Sequence, residues 1–143
     1  MIVDPGSVLL AGMLATVGGS AVLAWLPTGR GLRDIPGVLG DRIAPDETAA
    51  FAAGVMVQVA FGIIGAFCYV ALWHAAAIES GPAVGAIFGA AHWTVTELLV
   101  GGLAPLLGLT GRRAFRPDRE ALPLLLSYVV YGTLLGLAYS PGS

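Results

Sequence analysis

Four apolar runs, about 8–26, 49–77, 84–107 and 122–139, divide this 143-residue chain, and most of its charge lies between them. Each run approaches or exceeds the roughly 20 residues that cover a ~30 Å hydrocarbon core at 1.5 Å per residue. None alternates with period two, and backbone groups in lipid need partners within the same segment, so the runs read as helices. Apolar residues make up 57% of the chain and charged residues 11%, with a mean hydropathy of +0.84. A soluble domain of this length needs a far larger charged shell. The expected fold is therefore all-α, a single membrane domain of four transmembrane helices.

Every basic residue is an arginine, and all seven fall in two segments: Arg30, Arg33 and Arg42, then Arg112, Arg113, Arg116 and Arg119. Loops on the cytoplasmic side retain Lys and Arg, so loops 27–48 and 108–121 are assigned to the cytoplasm. The loop around 78–83 carries only Glu79 and is assigned to the outside, which puts both termini outside as well. The leader Met1–Ser7 has Asp4 and no positive charge, so the first run reads as a retained helix rather than a signal peptide. The arginines are interspersed with Asp34, Asp41, Asp118 and Glu120 and are explained by topology and anionic lipid head groups; nucleic acid is not required. The location this implies is a cell membrane, multi-pass, of prokaryotic cytoplasmic type.

Helix punctuation agrees with these spans. Pro27 stops the first, Pro45-Asp46-Glu47 and Ser80-Gly81-Pro82 open the second and third, and Pro123 lies in the first turn of the fourth. Within the first long loop, Ile35, Val38, Leu39 and Ile43 are spaced to form one apolar face of a short helix on the membrane surface.

Small residues recur every fourth position on all four helices. The rows are Gly12, Thr16 and Ser20; Gly54, Gln58, Gly62 and Ala66; Gly81, Gly85 and Gly89, continued by Trp93, Glu97 and Gly101; and Tyr128, Gly132, Gly136 and Ser140. Rows of this kind let helix backbones approach closely, so they are expected to be the inner seams of the bundle, with Gly62, Gly85, Gly89, Gly132 and Gly136 as packing positions. Thr28-Gly29-Arg30 and Thr110-Gly111-Arg112 follow the first and third helices and suggest a parallel internal repeat.

The order of these features resembles a family of uncharacterised small four-helix membrane proteins of bacteria and archaea. The residues that carry the resemblance are the Asp34-Ile35-Pro36 loop, Gly85-Ala-Ile-Phe-Gly89-Ala-Ala-His-Trp93, Pro105, and Tyr131-Gly132 through Gly136 to Tyr139. The resemblance implies a fold and a membrane location; it brings no catalytic residues.

Ionisable groups inside a membrane are costly and are candidates for function. The candidate intramembrane polar site is Glu97, His92, Gln58 and Tyr131, with Thr16, Ser20, Tyr69 and Tyr128 as neutral partners. Glu97 and Tyr131 fall near the midplane, Gln58 roughly 7 Å toward the cytoplasm and His92 about 5 Å toward the outside. No arginine reaches that depth, so Glu97 is expected as a neutral acid bonded to Gln58 or a tyrosine hydroxyl. His74, beside Trp73, fits an aromatic belt at the external interface. Two cofactor readings follow from the remaining donors. One is a bis-histidine haem on His74 and His92, which an estimated axial separation of about 11 Å opposes. The other is copper on Met13, Cys68 and His92. No cofactor is expected. A lone Cys68 makes no disulfide, and no phosphate loop, metal spacing or nucleophile with an adjacent base occurs. Three roles follow: a non-enzymatic accessory or self-associating bundle, in contact with lipids and with copies of itself or a larger membrane complex; a small proton-linked transporter or channel centred on Glu97; or a haem or copper carrier.

Overall fold

Asp4 begins the first helix. Its carboxylate accepts from the backbone N–H of Gly6 (3.1 Å) and Ser7 (3.0 Å) and from the Ser7 hydroxyl. Pro5 then occupies a first-turn position where no N–H is needed. Helix α1 therefore spans Pro5–Trp25 and starts before the apolar run does. Capping chemistry, not hydropathy, sets its boundary.

The computed structural model describes residues 4–25, 44, 46–99 and 121–139, and within them every regular element is a helix. Helix α2 is Glu47–Ala75, α3 is Pro82–Glu97 and α4 is Ala121–Ala138. The seven arginines, the Ile35–Ile43 segment, Pro27, Pro45, Gly101, Pro105, Ser140 and both Thr-Gly-Arg triplets lie outside the described residues. Helices α1, α2 and α4 are long and apolar enough to cross a membrane. The described part of α3 is 16 residues, and its predicted continuation to Leu107 lies outside them.

Asp46 is the residue before α2 rather than part of its first turn, and its side chain accepts from the Ala49 N–H at 2.9 Å. At the other end α2 stops at Ala75, two positions short of the predicted limit. Ala77 turns left-handed at φ 51°, and the N–H groups of Ala77 and Ile78 return to the carbonyls of His74 (3.2 Å) and Trp73 (2.8 Å). That is a Schellman cap built on alanine instead of glycine, so composition does not signal it.

The helices pack in two antiparallel seams. Along α3 and α4, a Cβ added to Gly136 would strike Gly81, one on Gly85 would strike Gly132, and one on Gly89 would strike Tyr128, in each case at the backbone. Four residues forward on α3 meet four residues back on α4. Along α1 and α2, Gly12 meets Ala66, Thr16 meets Gly62 and Ser20 meets Gln58, again in steps of four. Helix α4 also lies close to α1, where the Ser127 hydroxyl donates to the Gly19 carbonyl at 2.7 Å. The backbone of α2 stands farther from α3 and α4, and large side chains fill that space.

The outer surface is apolar. Leu10, Leu14, Val17, Phe61, Ile87 and Leu137 are all exposed, on all four helices, so the bundle requires an apolar surround.

Candidate functional site

The space between α2, α3 and α4 is filled by aromatic side chains that the sequence spaces four apart or nearly so. Helix α2 contributes Tyr69 and Trp73, α3 contributes Phe88 and His92, and α4 contributes Tyr128 and Tyr131. Tyr139 follows directly after α4. Tyr69 is the hub, with ring centroids 5.7 Å from Phe88, His92 and Tyr131 and 6.0 Å from Trp73. Trp73 in turn meets Phe88 at 5.7 Å and Tyr139 at 6.2 Å, while His92 stacks edge-on against Tyr128 at 4.9 Å. All four tyrosines and both histidines of the chain belong to this one column. Such pairs contribute about 0.5–1.5 kcal/mol each beyond the area they bury.

Two Tyr–His hydrogen bonds punctuate the column. The Tyr69 hydroxyl lies 3.1 Å from His92 Nδ1 and donates to the Phe88 carbonyl, also at 3.1 Å. With that proton directed to a carbonyl, His92 is the donor when Nδ1 carries a proton. Five residues farther along α2, His74 Nε2 lies 2.9 Å from the Tyr139 hydroxyl. Ser80 donates to the Tyr139 carbonyl at 3.0 Å, so Tyr139 joins the ends of α2 and α4 to the start of α3.

A cleft of about 890 Å³ opens at this end of the bundle, walled by Trp73, His74, Glu79, Ser80 and Tyr139 among others. Asp4 is near enough to Tyr139 to act on it electrostatically. Trp73 is only 1% exposed, and its Nε1–H has no hydrogen-bond partner among the described residues. Trp73 is buried against the rings of Tyr69, Phe88 and Tyr139, while His74, expected in an aromatic belt, bonds to Tyr139 at the cleft.

The four residues of the candidate polar site are dispersed. Gln58 donates to the Ser20 hydroxyl at 2.7 Å, which donates to the Thr16 carbonyl at 2.7 Å. Tyr131 donates to the Gly62 carbonyl across the α2–α4 gap. His92 is tied to Tyr69, and Glu97, half-buried at the end of α3, bonds to neither Gln58 nor any tyrosine. Gln58 and Tyr131 are committed elsewhere because small residues bring Ser20 against Gln58 and Gly62 within reach of Tyr131. On α3, Glu97 lies five residues beyond His92, roughly 140° around the helix axis from it.

Met13 and Cys68 are exposed, and the two histidines are held by different tyrosines at different levels of the bundle. Among the described residues no three His, Cys, Asp or Glu side chains gather as a metal-binding group. No family model, curated protein or solved structure matches this chain.

Proposed function

We propose that the protein is a small multi-pass membrane protein with four crossing helices, both termini outside, acting as a non-enzymatic accessory or self-associating bundle. The observation that carries this reading is the commitment of the interior polar groups. Gln58, Tyr131 and His92 each bond to a partner on another helix, and His74 bonds to Tyr139 just after α4, so they join helices instead of converging on a reacting centre. Backbone-to-backbone contact at the glycine seams also favours a fixed framework over the rocking that alternating access requires. The apolar outer face suits lipids and further copies of the chain or a larger membrane complex. The family resemblance to uncharacterised four-helix membrane proteins fits the same picture, and residues 1–143 then form one membrane domain.

The test combines topology with size. Reporters fused after residue 143 should report from outside, and reporters inserted between Arg113 and Arg116 from the cytoplasm. Light scattering of the purified protein in detergent should give a multiple of the 14.5 kDa chain, or co-purification from native membrane should retain a defined partner. A cytoplasmic C-terminus overturns the topology, and a partnerless monomer in both preparations overturns the accessory reading.

A further inference from the structure

Glycine seams account for how α1 meets α2 and how α3 meets α4. They do not account for the column between α2, α3 and α4, where apolar side chains of equal size would fill the space without hydroxyls or imidazoles. We propose that this column is a proton route, in which His92–Tyr69 in the middle of the bundle exchanges protons with the cleft through Tyr139–His74.

The geometry supplies the stations. His92 Nδ1 and the Tyr69 hydroxyl are 3.1 Å apart, and His74 Nε2 and the Tyr139 hydroxyl are 2.9 Å apart. The two pairs are about 7.5 Å apart along α2, from five residues at 1.5 Å each. Trp73 lies between them, its ring against both tyrosines and its buried Nε1–H without a partner among the described residues. A buried donor of this kind is ordinarily satisfied by protein or water, and one water on Trp73 Nε1 also shortens the gap between the two hydroxyls. His74 and Tyr139 line the cleft together with Glu79, and the Asp4 carboxylate just before α1 acts on Tyr139. At the other end, Thr96 follows His92 on the same face of α3. One turn before Tyr69, α2 carries Gly65, where a Cβ would meet only the Tyr131 ring and hydroxyl among the described residues.

Each station gives one proton and takes one. His92 takes a proton at Nε2 from water on the side away from the cleft, the donor the route requires, and releases the one on Nδ1 to the Tyr69 oxygen. The Tyr69 hydroxyl then turns from the Phe88 carbonyl and gives its proton to a water held by Trp73 Nε1–H, which the route requires and which passes one of its own protons on. Tyr139 takes that proton on its oxygen and passes its own to His74 Nε2, whose other nitrogen delivers a proton to the cleft. Rotation of the hydroxyls and exchange of the imidazole tautomers restore the starting state, with no net charge left behind. The route needs no movement of helices, which is why it is compatible with rigid seams.

Proteoliposomes of the full chain loaded with a pH-sensitive dye, with a potassium diffusion potential set by valinomycin, test the route. The parent should collapse the pH gradient at least tenfold faster than protein-free vesicles. Tyr69→Phe and Tyr139→Phe, which keep the rings and remove one oxygen each, should both return the rate to the protein-free level. Thr133→Ala, whose hydroxyl bonds within α4 to Val129, should conduct as the parent does. Should either Phe variant fail to insert, His92→Gln replaces it, since an amide cannot relay a proton between two ring nitrogens. A parent rate equal to that of protein-free vesicles, or variants that conduct as fast as the parent, overturns the route. The accessory reading stands or falls on topology and assembly size, so the two failures are distinguishable.

Discussion

Gly85 and Gly132 face each other so closely that a Cβ on either would overlap the carbonyl of the other. The relationship is reciprocal, and it repeats one turn away in each direction, with Gly81 against Gly136 and Gly89 against the Tyr128 backbone. Because the obstruction is backbone, no rotamer change relieves it. The α3–α4 pair is therefore fixed in register as well as in distance, and α4 in turn holds α1 through Gly19 and Ser127. A rigid α1–α4–α3 unit results, against which the aromatic side chains of α2 are packed.

Gly132→Ala should destabilise the bundle even though alanine is the better helix former. The added methyl has to push Gly85 and Gly89 away, and overpacking of this kind costs about 1–3 kcal/mol. Alanine at Leu122, a side chain that is 61% exposed on the same helix, should shift stability by no more than about 0.5 kcal/mol. Thermal melting of both variants in one detergent checks the contrast. Equal melting would mean that α3 and α4 are not in backbone contact.

Ala77→Gly should act in the opposite direction. Ala77 holds φ 51° to close the Schellman cap of α2, and a left-handed L-residue costs roughly 1–2 kcal/mol where glycine does not. The substitution also loosens the unfolded chain, which offsets part of that gain. A net stabilisation of about 0.5–1 kcal/mol is expected from melting or chemical denaturation. A loss of stability would show that the Ala77 methyl makes a contact worth more than the strain.

Much of this architecture is legible before any coordinates. Length and hydropathy place the four helices, three of which are long and apolar enough to cross a membrane. Spacing also picks out the faces that pack, since Gly12, Thr16 and Ser20, or Gly81, Gly85 and Gly89, can fall on one line only if the chain is helical. A single helix does not reveal which residue stands opposite, and the site depends on that. Glu97 and Tyr131 come out at similar depth from sequence, yet Tyr131 reaches the Gly62 carbonyl on α2 and Gln58 is turned to Ser20. The aromatic column is hidden for the same reason. Tyr69 and Trp73, Phe88 and His92, and Tyr131 and Tyr139 are three separate four- or eight-residue spacings, and only tertiary packing joins them. Two boundaries are missed for local reasons: Asp4 with Pro5 extends α1, and Ala77 ends α2 without a glycine to mark it.

The start of α1 should respond to acid. The Ser7 hydroxyl first, then the Ser7 and Gly6 N–H groups, hold the Asp4 carboxyl below its ordinary value of 3.8. A group depressed in the folded state contributes stability that is fully present above its unfolded value and is lost as pH falls through the folded one. The amide shifts of Gly6 and Ser7 should therefore be flat from neutral pH down to about 4 and move only below 3.8. In Asp4→Asn, which can still cap but cannot titrate, both should remain flat throughout. Movement centred well above 4 in the parent would contradict the cap.

Glu97 distinguishes a route through the column from one centred on the buried acid. His92 and Glu97 are five residues apart on α3, which puts them roughly 140° apart around the helix axis at 3.6 residues per turn. His92 faces Tyr69 on α2, so Glu97 lies on a different side of α3 from that pair. Neither Gln58 nor Tyr131 pairs with Glu97, so its carboxyl has no described link to the column. Glu97→Gln should consequently melt with the parent and should conduct protons at the parent rate in the same vesicles that show loss in Tyr69→Phe. A Glu97→Gln variant that folds but stops conduction, with Tyr69→Phe unaffected, would transfer the function to the carboxylate and make the Tyr–His pairs helix ties alone. Loss in both variants would place Glu97 on the route, upstream of His92.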